Sequence, residues 1–221
     1  MSVPERFRTL GGEPSGARLL LVRHGEAVCN VSGVVGGARG CTGLSDRGRT
    51  QAQALGERLR VSGELGDVAA TYVSPLPRAR ETAHLVGTAV PGLPVAQVAP
   101  DLEELRPGVA DGLTWAQLVA RFGGPDWDED PGMPLAPGGE SWLEFSQRCR
   151  ETLEELARTH RGERVVLFTH AGVIEHALRL VFPAPAGTRL GLRTVHCSMT
   201  EVEVDGGRRR LLRYNDVAPV P

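Results

Sequence analysis

The sequence predicts a three-layer α/β/α sandwich, with a mostly parallel central sheet and an antiparallel strand at one edge. Three observations carry this. Short apolar runs at 17–22, 68–73 and 164–169 alternate with longer stretches of helical period, the pattern of βαβ units whose strands are covered on both faces. The stretch 195–204 alternates apolar and polar residues toward its end and is followed by a second run, 208–214, as in a hairpin. Apolar content of 41% with 24% charged residues is an ordinary globular balance, and no apolar run reaches membrane-spanning length.

Residues 1–16, rich in Gly and Pro and without period, are expected to form a flexible leader, and 17–221 a single catalytic domain. A first strand, 17–22, ends at Arg23-His24-Gly25-Glu26 and runs into a glycine-rich loop, 31–43. Ser45 or Asp46 caps a helix over 46–62, with Ala52, Leu55 and Leu59 at helical spacing. A strand at 68–73 leads into Ser74-Pro75-Leu76-Pro77 and a helix over 77–89. A short strand is expected at 94–99, a polar loop at 100–113, and a short helix capped by Thr114. The run 123–139 is loop by its Pro, Gly and acid content. Ser141 and Glu144 form a capping box that opens a long amphipathic helix to 160. The strand 164–169 ends at His170, and a helix follows over 172–181. Segments 31–43 and 105–139 are placed to act as lids.

Composition removes several functions. All 25 basic residues are arginine. A Walker A loop, a Schiff-base lysine and the kinase strand lysine therefore cannot be built. Any phosphate held here is held by guanidinium forks. A net charge of −2 gives no field for nucleic acid or a membrane surface. Cys29, Cys41, Cys149 and Cys197 form no CxxC pair and read as reduced thiols, so neither zinc nor a disulfide frame is expected, and the cytoplasm is the expected compartment.

In open α/β sheets, ligands bind beyond the carboxyl ends of the strands. Two predicted strand ends here deliver a histidine, His24 and His170. Arg23, Arg78 and Glu104 lie at junctions or loops on that same edge. Each alone reads as an ordinary structural residue. Together, two imidazoles, two guanidiniums and a carboxylate suit phosphoryl transfer to histidine. A neutral imidazole attacks phosphorus, and arginine forks hold the equatorial oxygens. A second, protonated imidazole adds a donor. A carboxylic acid protonates the leaving oxygen and later activates water. No metal or other cofactor is required.

Over about residues 17–215 the chain resembles the histidine phosphatase superfamily, the phosphoglycerate mutase-like phosphatases. LVRHGEAVCN (21–30) resembles its RHG signature with the downstream Asn. LSDRGRTQA (44–52) and SPLPRARETA (74–83) resemble its next two motifs. DLEEL (101–105), DGLT (111–114), PGGES (137–141), VVLFTHAG (165–172) and RYND (213–216) come after them in the same order. The resemblance implies His24 as nucleophile and Arg23, Arg78 and His170 as the rest of the phosphate pocket. It implies Glu104 as acid and base, with Glu103 as the neighbour to watch. It also implies Asn30, Gly36, Gly37 and Ala171 as phosphate- or substrate-binding positions.

Phosphatase and mutase share this core. After Glu104 the chain reads Leu105-Arg106-Pro107-Gly108, unlike the family's mutases, and VVGGARG stands where those carry an FSGW-like run. A phosphatase acting on a small phosphorylated metabolite is the expected reading. A mutase and a non-catalytic phospho-ligand binding domain remain as alternatives. Whether His196 lines the pocket is left open by the sequence. Trp115, Trp127 and Trp142 are expected as lid packing. The sequence leaves oligomeric state open and allows two copies to pair through an edge strand as a homodimer.

Overall fold

The computed structural model describes residues 16–185, 188 and 190–218, so the leader expected at 1–16 lies outside the described residues except for Gly16. The chain forms β1 (Ala17–Arg23), α1 (Val28–Ser32), α2 (Asp46–Ser62), β2 (Val68–Val73), α3 (Pro77–Ala89), β3 (Gln97–Val98), α4 (Trp115–Phe122), α5 (Trp142–Thr159), β4 (Arg164–Thr169), α6 (Ala171–Val181), β5 (Met199–Asp205) and β6 (Arg208–Asp216). The sheet order is β3-β2-β4-β1-β5-β6. β3, β2, β4 and β1 run parallel, and β5 pairs antiparallel with both β1 and β6.

Strand alternation builds the two cores. Leu19, Leu21, Val165 and Leu167 pack with Phe145, Cys149 and Leu153 of α5 and Val173 and Ile174 of α6. The intervening Leu20, Val22, Val166 and Phe168 pack on the other face with Leu55 and Leu59 of α2 and Ala79, Ala83 and Val86 of α3. Because β1 and β4 bury both faces, they read as continuous apolar runs rather than alternating ones. The caps act as the sequence predicts. Ser45 Oγ accepts from Gly48 N–H at 3.0 Å. Ser141 Oγ accepts from Glu144 N–H at 3.2 Å while Glu144 Oε2 accepts from Ser141 N–H at 2.8 Å.

Three boundaries differ from expectation. The strand expected at 94–99 is only Gln97–Val98, because Pro94 has no N–H to give a ladder. The strand expected from 195 starts at Met199. Cys197 adopts φ 55°, in the left-handed region, and its N–H donates to the Arg23 carbonyl, so residues 195–198 turn across the end of β1. The glycine-rich segment after Asn30 is preceded by the short helix α1, which has no apolar period to announce it. The amino ends of β1 and β4 are closed by charge. Arg164 forks onto Glu201 at 2.8 and 3.0 Å, with both side chains buried.

Chain connections leave β1 toward β2 and leave β4 toward β5, on opposite sides. The crevice between the carboxyl ends of β1 and β4 is therefore the topological switch point where such sheets hold ligands.

Candidate active site

Three adjacent parallel strands end level with one another, and each delivers one polar residue. His24 follows β1 and donates its backbone N–H to Thr169 of β4 at 3.0 Å. Ser74 follows β2 and donates to Phe168 of β4 at 3.0 Å. His170 follows β4 directly. The His24 and His170 rings come within 5.1 Å, centroid to centroid.

The tautomer of His24 is set by its neighbours. Nδ1 lies 2.7 Å from the Gly25 carbonyl, which only accepts, so Nδ1 carries the proton. Nε2 is left with its lone pair and accepts from Arg78 Nε at 3.1 Å. The loop that sets this ring is packed tightly. A Cβ on Gly25 would lie 2.5 Å from the Gly48 carbonyl oxygen. Thr82 Oγ1 accepts from Gly25 N–H at 3.0 Å and donates to the Arg78 carbonyl at 2.7 Å, which ties the histidine loop to α3. Arg78 NH1 donates to the Gly36 carbonyl at 2.6 Å.

His170 Nε2 lies 2.7 Å from Ser74 Oγ. The hydroxyl also accepts from Leu76 N–H at 3.3 Å, and Nδ1 is the ring nitrogen that Ser74 does not engage. That Nδ1, together with Arg23 Nε and His196 Nε2, is buried with no protein partner. A buried polar atom is nearly always paired. These three flank His24, whose ring is also 5.6 Å from that of His196. Arg23 NH1 donates to the Thr194 carbonyl.

Glu104 stands across the same cavity. Its Oε2 accepts from Gly172 N–H at 3.1 Å, in the first turn of α6. A Cβ on Gly172 would sit 2.3 Å from Oε1, so this carboxylate needs glycine there. The loop carrying Glu104 is held by Arg148 of α5. Arg148 donates to the carbonyls of Asp101 and Glu103 at 2.8 and 3.0 Å and forks onto Glu140 at 2.6 and 2.7 Å. Sequence reading passed over Arg148, since one more arginine on a helix carries no local signal. Glu103, by contrast, pairs with Arg106 at 3.2 Å and does not line the cavity.

The cavity is about 410 Å³. Arg23, His24, Asn30, Gly36, Arg78, Glu104, Ala171, Gly172 and Glu175 supply its polar lining, and three tryptophans with Phe145 supply much of the rest. Asn30 Oδ1 accepts from Ala27 N–H at 3.0 Å. Gly37 does not reach the cavity. Its N–H is taken at 2.9 Å by Asp111, whose carboxylate also accepts from Gly40 and Arg39 and so folds the 36–40 loop. Trp127 and Trp142 are both buried at the cavity wall, with rings 5.7 Å apart, while Trp115 is half exposed. A second hollow of about 350 Å³, between α3 and β3, holds Arg80 and His84 but no carboxylate.

Burial, with Arg78 and Arg23 close by, pushes the His24 imidazole well below its usual range. Burial first, then Arg78, His24 and Arg23, do the same for His170. Burial thus works against the protonated second imidazole that the residue chemistry implies. Burial also lowers His176, and it lowers His196 to about 4. These folded values lie below the unfolded value of about 6.5, so the unfolded chain binds more protons under that pH. Stability should therefore be fully present above about pH 6.5 and decline as pH falls below it. A thermal midpoint that holds or rises from pH 7 to pH 5 in phosphate-free buffer would contradict this.

A family model described as the histidine phosphatase superfamily (branch 1) matches residues 19–217. The chain belongs to the histidine phosphatase superfamily. This histidine phosphatase is 35% identical over 181 residues to the metal-independent phosphoserine phosphatase of Arabidopsis thaliana, covering 78% of this chain and 72% of that protein. Among solved structures, Bacillus stearothermophilus YhfR matches with a TM-score of 0.77 at 30% identity, over 91% of this chain and 98% of that one. The mycobacterial glucosyl-3-phosphoglycerate phosphatase in complex with VO3 matches with a TM-score of 0.74 at 32% identity, over 90% and 98%. Among the described residues, no group of three His, Cys, Asp or Glu side chains could hold a metal ion, and no helix is long and apolar enough to cross a membrane.

Proposed function

We propose that this histidine phosphatase hydrolyses a small phosphomonoester through a phosphohistidine on His24 Nε2. One observation carries the reading: Nε2 holds its lone pair on a ring fixed by the Gly25 carbonyl, in a cavity that also holds two guanidiniums and a carboxylate. On binding, phosphoryl oxygens take over the Arg78 Nε donor and meet Arg23 Nε, His170 Nδ1 and His196 Nε2. His24 Nε2 is thereby freed for attack. The depressed basicity of His24 keeps it neutral, and so nucleophilic, into acid solution. Electrostatic stabilisation of the equatorial oxygens falls to the arginines. Glu104 protonates the departing oxygen as Nε2–P forms and O–P breaks. It then takes a proton from the water that attacks the phosphohistidine, releasing phosphate and restoring Nε2. Asn30, Gly36 and the first N–H groups of α6, at Ala171, complete the binding positions.

The walls support a finer reading of the substrate. Among the described residues, Arg23 and Arg78 are the cationic side chains that line the cavity. A second anionic group on the leaving portion finds no further cationic side chain in the lining. Trp115, Trp127, Trp142, Phe145, Leu105 and Leu135 offer apolar and aromatic contact. The favoured leaving group is neutral and apolar or aromatic. A panel of phosphomonoesters tests this. Aryl and long-chain alkyl phosphates should exceed 3-phosphoglycerate and sugar bisphosphates in kcat/KM by about tenfold or more, the scale of one or two lost or misplaced contacts. Phosphoglycerate mutase activity above hydrolysis, with a bisphosphate primer present, would favour the mutase instead.

A further inference from the structure

The hollow of about 350 Å³ between α3 and β3 shares no lining residue with the catalytic cavity. From β2 it takes Thr71 and Val73, whose face of the strand meets α3, while the alternate residues Ala70 and Tyr72 belong to the opposite core. From α3 it takes Arg80, His84, Gly87 and Thr88, which stand at i, i+4, i+7 and i+8 and so form one stripe of that helix. Leu93, Ala96 and Val98, on the stretch that enters and forms β3, supply apolar lining.

Three features set this hollow apart from a gap in packing. Thr71 is 1% exposed, yet its Oγ1 is buried with no protein partner. A buried hydroxyl is nearly always paired. Gly87 lies inside α3, where glycine weakens a helix, and a Cβ there would meet no atom within 4 Å. Even alanine would strengthen the helix at that position, but it would narrow the hollow. Finally, among the described residues Arg80 and His84 have no acidic partner, and no carboxylate lines the hollow. Arg58, Arg148, Arg164 and Arg213, by contrast, each have a carboxylate within 3.0 Å.

We propose that this hollow binds a small organic carboxylate with an apolar body, at a site separate from the phosphatase centre. The Arg80 fork takes the two carboxylate oxygens, and His84 stands beside it one turn along the same stripe. The apolar body lies over Gly87 and meets Val73, Leu93 and Val98. It also covers Val95 and Val98, which are 90% and 52% exposed without it, and so removes apolar surface from water. A polar atom at the far end of the body gives Thr71 Oγ1 the partner that the protein does not. A single guanidinium suits a carboxylate of one charge, whereas the phosphate clamp brings two guanidiniums together.

The probe is 6-hydroxy-2-naphthoate, a fluorescent carboxylate with a hydroxyl at the far end of a flat body. Equilibrium dialysis against the full chain measures its binding, with and without saturating inorganic phosphate in the catalytic cavity. Expected is one site per chain with a Kd of about 1 mM or tighter, unchanged by phosphate. Arg80→Ala should weaken binding by about tenfold, the scale of a lost hydrogen bond to a charged group. Gly87→Leu should abolish it by filling the hollow. Arg80 and Gly87 are exposed and leucine is a strong helix former, so both variants should keep the parent's circular dichroism spectrum. The parent should bind the probe more tightly than 2-naphthoate, which lacks the hydroxyl, and Thr71→Val should bind the two alike. Absence of binding at millimolar probe overturns the proposal, as does displacement by phosphate, which would place the probe in the catalytic cavity. Parent-like affinity in Arg80→Ala or in Gly87→Leu also overturns it. None of these readouts uses turnover, so the site is tested apart from the phosphatase reading.

Discussion

Replacing His24 by alanine is expected to abolish turnover. Removing a covalent nucleophile costs on the order of 10⁶-fold, which in a colorimetric assay is the blank. The expectation rests on position, since neither neighbouring imidazole can take over. His170 Nε2 is committed to Ser74 at 2.7 Å. His196 has its own lone pair but stands behind a ring separation of 5.6 Å, on the turn that caps β1. Arg23, Arg78 and His170 remain in the variant, so weak binding of inorganic phosphate should persist while rapid-quench labelling finds no phosphohistidine. A variant that retains near wild-type hydrolysis, with its fold confirmed by circular dichroism, would remove His24 from the chemistry.

Glu104→Gln should lower steady-state turnover by about 10²- to 10⁴-fold, the usual contribution of a positioned acid or base. The size should depend on the substrate and the step. With an alkyl phosphate, the unprotonated leaving oxygen holds back phosphorylation itself. With p-nitrophenyl phosphate, whose leaving group needs no proton, the first step should survive and hydrolysis of the intermediate should stall. A burst of nitrophenolate equal to the enzyme concentration, with acid-labile phosphate trapped on His24, is the expected signature. Gly172→Ala should mimic part of this loss, because its new methyl group would occupy the place of Glu104 Oε1. If Glu104→Gln turns over normally and Glu103→Gln does not, the acid is the neighbouring residue.

Much of the site was legible in the linear sequence for one physical reason. A buried parallel strand is a short apolar run, and the residues just past its end must lie at the carboxyl edge of the sheet. His24 and His170 could thus be placed together from the chain alone. The same logic reached Arg78, which begins α3 just past β2. Other features left no such trace. Arg148 steadies the Glu104 loop by donating to backbone carbonyls, and a backbone carbonyl has no sequence identity to read. Gly37 looked equivalent to Gly36, yet one presents its carbonyl to Arg78 and the other spends its N–H on Asp111. The buried cluster of Cys29 and Cys41 joins a helix to a distant part of the loop beyond it, a separation that no motif encodes.

Protonation also had to come from the fold. The residue types alone made a protonated second histidine reasonable. Complete burial beside two guanidiniums lowers its basicity, and burial and neighbouring charge are set by the environment and not by the residue type.

By itself the sequence determined the layer order, the strand ends that carry chemistry and the exclusion of lysine-based phosphate binding. Each of these depends on periodicity or on residue type, which a linear chain displays. Tertiary structure alone decided which nitrogen of His24 is free, which glycine meets the clamp and which thiols share a cluster. It also decided that a turn at Cys197 carries His196 over the end of β1. Those outcomes depend on how each loop is held against its neighbours, and that arrangement exists only once both faces of the sheet are packed.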